Sequence, residues 1–182
     1  HPDHAGGNAA IQAETGCTIT GPAEISGKFP IDRIVAHGDT VKLGAVEAYV
    51  IDVSGHTNGH IAFHLPSAGV AFVGDSVFAL GCGRMFEGEP GQFWASLSRI
   101  KALPPQTLLY CAHEYTASNA RFALHADPEN AALAAYAEEI AAKRARNERT
   151  VPTTLERELA TNPFLRAEDP ALWNDPKEAE KV

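Results

Sequence analysis

Paired apolar runs, each broken by a turn signal, dominate the first two-thirds of the chain. "TVKLGAVEAYVIDVSG" (40–55) carries two such runs about Gly44, and "HIAFHLPSAGVAFVGD" (60–75) carries two more about Pro66-Ser67-Ala68-Gly69. Short runs rich in β-branched and aromatic residues, divided by glycine and proline, predict hairpins. "TLLYCAHEY" (107–115) has the pattern of another buried strand that ends in polar residues. Between them, "GQFWASLSRIKAL" (91–103) spaces Phe93, Leu97, Ile100 and Leu103 as one helix face, closed by Pro104-Pro105. Beyond Tyr115 the character changes. "SNARFALHA" and "PENAALAAYAEEIAAKRARNER" are Ala-rich and helical, with Pro128 suited to a first turn and Glu139/Lys143 an i,i+4 pair. "TLERELATN" predicts a further short helix. The pattern therefore divides into a strand-rich α/β unit over 1–116 and a small helical unit over 117–182.

Composition narrows the classes. The 182 residues are 45% hydrophobic and 21% charged, as in a globular protein with one core or one core plus a small second unit. Net charge is −8, and residues 1–83 hold only Lys28, Arg33 and Lys42 against eight acidic residues. A nucleic-acid surface would need clustered Lys and Arg, so no nucleic-acid partner is expected, whereas metal cations would be attracted. No apolar run reaches the length of a membrane span, so no membrane partner is expected. Cys17, Cys82 and Cys111 are odd in number and not closely spaced, which suits a reducing compartment and a cytoplasmic location.

Histidines supply the candidate chemistry. The chain opens "HPDHAGGN", with His1, Asp3 and His4 inside four residues. "SGHTNGH" puts His56 and His60 in one glycine-bounded turn, "FVGDS" puts Asp75 after an apolar run, and "YCAHEY" puts His113 after another. Imidazoles and a carboxylate delivered from strand ends into one cleft suit a borderline metal such as zinc. A carboxylate has two oxygens, so Asp75 could bridge two cations. His37, in a turn before Gly38-Asp39, and His64 and His125 read as structural residues.

This ordered set resembles glyoxalase II, the hydroxyacylglutathione hydrolases of the metallo-β-lactamase superfamily. Their signature T-H-x-H-x-D-H matches "HPDH" if the chain begins at its second histidine. "SGHTNGHI", "VGDSVFALGCGRMFEG", "YCAHEYTASNARFAL" and "TNPFLR" follow in order, so the resemblance runs from His1 to about Arg166. It implies a metallo-β-lactamase αββα sandwich, truncated at its N-terminus, followed by a helical domain that binds the glutathione substrate. It implies two divalent cations, zinc first with iron or manganese as alternatives. One would be held by His1, His60 and Asp75, with a further ligand expected two residues before His1. The other would be held by Asp3, His4, His113 and Asp75. His56 is left to the turn or to supporting a ligand, and Cys82 and Cys111 to packing. The reaction implied is hydrolysis of S-D-lactoylglutathione to D-lactate and glutathione, with Asp3 also orienting the attacking water and Asp75 joining the two cations. Arg84, Tyr115 and Arg166 would hold the glutathione moiety. Phe86 stands where many members have tyrosine, and Ala-Glu-Asp-Pro after Arg166 lacks a basic residue that some carry.

Two other readings remain at this point. A persulfide dioxygenase of the same superfamily shares the G-C-G-R loop, but resembles "GCGRTDF" and "AHDY" rather than "GCGRMFEG" and "AHEYT". A metal-binding fragment without activity is the other: a chain short of one ligand and the early strands would expose apolar faces and associate.

Overall fold

In the computed structural model, residues 1–173 are described; residues 174–182, the end of the expected helical unit, lie outside the described residues. The opening histidines lie in a helical turn. Helix α1 (Pro2–Ala5) starts with proline at its first position, where the missing N–H is no loss, and carries Asp3 in its first turn. Helix α2 (Asn8–Thr15) follows and stops at Gly16, φ 68°, the left-handed cap that glycine adopts freely. Neither helix was legible as one in a region read as strands and loops.

A two-stranded parallel pair, β1 (Thr20–Gly21) and β2 (Arg33–Ile34), leads to the main sheet. Strands β3 (Thr40–Leu43) and β4 (Val46–Asp52) form the first expected hairpin, and β5 (Ile61–Leu65) and β6 (Val70–Gly74) the second. A small hairpin, β7 (Val77–Phe78) with β8 (Gly81–Cys82), and helix α3 (Pro90–Lys101) come before β9 (Leu108–Cys111). Helices α4 (Thr116–Ala126) and α5 (Ala131–Ala145), the short strand β10 (Thr153–Thr154) and helix α6 (Leu155–Thr161) follow, with a 3-10 turn at Pro170–Trp173 after them. The sheet order is β10-β9-β6-β5-β4-β3, antiparallel except where β6 meets β9. This is a mixed α/β fold with a helical C-terminal region.

Strand alternation sorts the faces of the sheet. Ile51, Ala62, Ala71, Val73 and Leu109 pack with Phe93, Leu97 and Ile100 of α3, the helix face read from the sequence. The opposite face carries the cross-strand row Val50–Phe63–Phe72–Tyr110. Exposure along that row rises from 1% at Val50 to 48% at Phe72 and 36% at Tyr110, whose rings lie 5.3 Å apart. An open apolar stretch of sheet is therefore present at Phe72 and Tyr110. Pro128 does not begin α5. The helix starts at Ala131 behind the N-cap Asn130, whose side-chain oxygen accepts from Leu133 N (3.0 Å), so the amide cap overrides the proline signal. The Glu139–Lys143 pair forms, at 2.6 Å.

Candidate metal centre

Sheet topology gathers the candidate residues. Strands β4 and β6 both run antiparallel to β5, and β9 runs parallel to β6. The C-terminal ends of β4, β6 and β9 therefore share one edge, and the residues just beyond them meet there. Asp75 follows β6, His113 follows β9, and the loop 53–60 follows β4. That loop is closed at its base by Val53 N–H donating to His60 O (2.9 Å), so His60 sits at the base and His56 nearer the tip. Gly55 is needed in it: at φ 143° it presses on the Phe93 ring, and a β-carbon would overlap that ring. Helix α1 brings His1, Asp3 and His4 over the same edge.

Two groups of ligand atoms result, one of His1, His56 and Asp75 and one of Asp3, His4 and His113. In the first, His56 Nε2 lies 3.3 Å from His1 Nδ1 and 3.3 Å from Asp75 Oδ2. In the second, Asp3 Oδ2 lies 3.4 Å from His113 Nε2 and 3.7 Å from His4 Nε2. Asp75 touches both: its Oδ2 is 2.9 Å from His4 Nε2, and its Oδ1 is 3.4 Å from His113 Nε2. His56 Nδ1 donates to Arg84 O (2.8 Å), which leaves Nε2 as the bare nitrogen facing the group.

The structure departs from the expected choice between the two turn histidines. His56 joins the first group and His60 does not. His60 Nε2 accepts from Asp75 N (3.4 Å), its Nδ1 is buried without a partner among the described residues, and burial pushes its imidazole pKa down to about 4. The local pattern offers no means of telling the two apart, since both lie in one glycine-bounded turn. The tertiary contacts separate them: Arg84 O receives His56 Nδ1–H, while Asp75 N donates to His60 Nε2.

The expected substrate residues separate likewise. Tyr115 is half exposed and stacks on His113, with ring centroids 4.9 Å apart and planes inclined by 16°. Arg84 is exposed, its guanidinium 6.0 Å over the Phe86 ring, and Phe86 in turn lies 5.2 Å from His56. Arg166 is placed differently: it is paired with Asp127 and, at 2.6 Å, with Asp169. Both carboxylates belong to the helical segment, so its charge is already matched there. Cys82 and Cys111 are half-buried, and burial pushes the Cys82 thiol up to about 12, consistent with packing rather than ligation. Glu114, which the sequence did not single out, accepts from Thr150 N (3.1 Å) and from the Thr150 hydroxyl, and so ties the His113–Tyr115 turn to the chain beyond α5.

The donor set fits divalent cations. Among the described residues, Asp75 Oδ1 is buried and accepts no hydrogen bond, although carboxylates inside proteins are normally satisfied. Around it stand imidazole nitrogens and a second carboxylate, atoms that converge as lone-pair donors and suit zinc, iron or manganese alike. Among the described residues, no helix is long and apolar enough to cross a membrane.

Comparison with known proteins bears on this arrangement. A family model described as metallo-beta-lactamase superfamily matches residues 1–113, and one described as hydroxyacylglutathione hydrolase C-terminus matches residues 114–181. The chain is 74% identical over 172 residues to a hydroxyacylglutathione hydrolase of Erythrobacter litoralis (strain HTCC2594), covering 94% of this chain and 68% of the relative. It is 62% identical over 173 residues to one of Hyphomonas neptunium (strain ATCC 15444), with the same two coverages. Among solved structures, ETHE1 from Myxococcus xanthus superposes with a TM-score of 0.67 at 23% identity, over 100% of this chain and 66% of that one. At that identity the likeness speaks for the fold alone.

Proposed function

The chain belongs to the hydroxyacylglutathione hydrolases of the metallo-β-lactamase superfamily, and from that premise we propose that it hydrolyses the thioester of S-(2-hydroxyacyl)glutathione, S-D-lactoylglutathione in particular, to the hydroxy acid and glutathione. The observation that carries the site assignment is Asp75, a buried carboxylate with one oxygen toward His56 and His4 and the other toward His113. On this reading His1, His56 and Asp75 hold one divalent cation, and Asp3, His4, His113 and Asp75 hold a second. Zinc is the metal proposed. Bound there, such cations bring the pKa of water toward neutrality and polarise a carbonyl.

The remaining roles belong to the chain. Asp3, half exposed at the edge of the group, is placed to accept a proton from, and so orient, an attacking water. Arg84 offers an exposed guanidinium for a carboxylate of the glutathione tripeptide. Tyr115 and Phe86 supply ring faces at the mouth. Arg166, held by Asp127 and Asp169, is assigned to the helical segment rather than to substrate. The helical segment beyond residue 116 is proposed as the second domain, and the three free thiols support a cytoplasmic location.

The test is cleavage of S-D-lactoylglutathione followed through released thiol. Activity that is abolished by a chelator, returns with zinc, and comes without oxygen uptake on glutathione persulfide is the expected result. Oxygen uptake with a single bound iron would move the chain to the dioxygenase reading. A metal-loaded chain inert toward both would leave it a metal-binding fragment.

A further inference from the structure

The turn of the β7–β8 hairpin is held by side chains of the helical segment. Asn119 Nδ2 donates to Ala79 O (3.0 Å), and Asn162 Nδ2 reaches Phe78 O (3.2 Å) and Gly81 O (3.0 Å). Glu158 Oε2 accepts from Leu80 N (2.7 Å) and from Asn162 Nδ2 (3.0 Å), while Glu158 Oε1 accepts from the Thr153 hydroxyl (2.7 Å). Glu158 and Asn162 are wholly buried. The turn is one that needs holding: Leu80 sits at φ 58°, in the left-handed region that side chains disfavour. Its side chain, also wholly buried, enters the apolar cluster of Ala120, Ala123, Leu133, Tyr136 and Ile140.

Both ends of this hairpin lie in the metal centre. Asp75 precedes β7 by two residues. After β8, Gly83 N–H donates to Ser76 O (3.3 Å), and Gly83 lies so close to Asp75 O that a β-carbon would not fit. The next residue, Arg84, supplies the carbonyl that receives His56 Nδ1–H (2.8 Å). One hairpin thus carries the shared carboxylate at one end and the group that aims His56 at the other.

We infer that Glu158 is a positioning residue for the metal centre: through the Leu80 N–H it locks the β7–β8 hairpin so that Asp75, and His56 by way of Arg84 O, face the cation sites. This rests on the two-cation reading above and deepens it. It gives the helical segment a part in metal binding although none of its described residues stands among the candidate ligands.

The test measures zinc affinity of the whole chain by competition with a chromophoric chelator, well below the melting temperature. Glu158→Ala, which removes the acceptor of Leu80 N–H, is expected to weaken zinc binding about tenfold or more, the scale seen when a group that orients a ligand is lost. Glu158→Gln keeps an oxygen for Leu80 N–H and places its amide against the Thr153 hydroxyl, so it should stay within about threefold of wild type on the same scale. If Glu158→Ala does not fold, Asn119→Ala, which removes only the bond to Ala79 O, should weaken zinc by a few-fold. Hydrogen exchange should quicken over residues 76–84 in the weakened variants. Ile140→Val destabilises the same apolar cluster without touching the hairpin backbone, and should leave zinc affinity unchanged. The inference is overturned if the alanine variants bind zinc as wild type does, if Glu158→Gln is as weak as Glu158→Ala, or if Ile140→Val weakens zinc equally. Wild type that binds zinc and cleaves thioester alongside such results would remove this inference and leave the functional reading standing. Wild type that takes up no zinc would remove both.

Discussion

At His56 a single hydrogen bond selects the chemistry. With Nδ1 donating to Arg84 O, Nε2 presents a lone pair to His1, Asp75 and the proposed cation. Replacing His56 by alanine should therefore cost one of two bound zinc ions, and replacing His60 should cost neither; zinc-to-protein ratios after dialysis read both. A second residue-scale consequence concerns Glu158. Burial pushes its carboxyl up to about 7, against the hydrogen bonds from Thr153, Leu80 and Asn162 that pull it down. A carboxyl whose folded pKa lies above its unfolded value of 4.5 favours the fold while protonated. That contribution is complete below about pH 4.5 and is lost as pH rises toward 7. Urea unfolding at pH 5 and pH 7.5 should show wild type losing roughly 2 kcal/mol relative to Glu158→Gln over that span. An identical pH slope in both proteins would show that the carboxyl titrates normally.

Among the elements, the joint between α4, α5 and α6 is concentrated in Asn130. Its oxygen caps α5 at Leu133 N, and its Nδ2 donates to Asp127 Oδ2 (2.8 Å) and Ala160 O (3.0 Å). Asp127 in turn holds Arg166. Asn130→Ala should destabilise the protein by about 1–2 kcal/mol, the usual cost of a lost cap, with zinc content unchanged; urea unfolding with metal analysis tests both. At this scale the hairpins about Gly44 and Gly69 and the apolar face of α3 were legible, because period and turn chemistry are local. Helices α1 and α2 were not. "PDHAGGNAAIQAET" has no apolar stripe and none of its residues in either helix is buried, so no periodic signal marks them.

The molecule as a whole ties its stability to its ligands, because the centre joins α1, the loop after β4, and the ends of β6 and β9. A cation at about a hundred times its dissociation constant adds roughly 3 kcal/mol to the folded state. For a chain of this size that is a shift of roughly 5–10 °C. Thermal melts with zinc and with excess chelator should differ by about that much, and superimposed melts would argue against a metal that binds only the folded chain. Local pattern was enough to place His56, His60, Asp75 and His113 just beyond strands and to show a family resemblance, since residue type and order are properties of the chain. Direction was not in the pattern. His56 rather than His60 turns Nε2 to the group because Arg84, 28 residues further on, receives its Nδ1–H. Arg166 turns to Asp127 and Asp169 because the fold sets those carboxylates beside it. Such choices depend on where distant segments meet to within an ångström or so. Packing of the sheet, the hairpin and the helical segment against one another settles that, and no single stretch of the chain contains it.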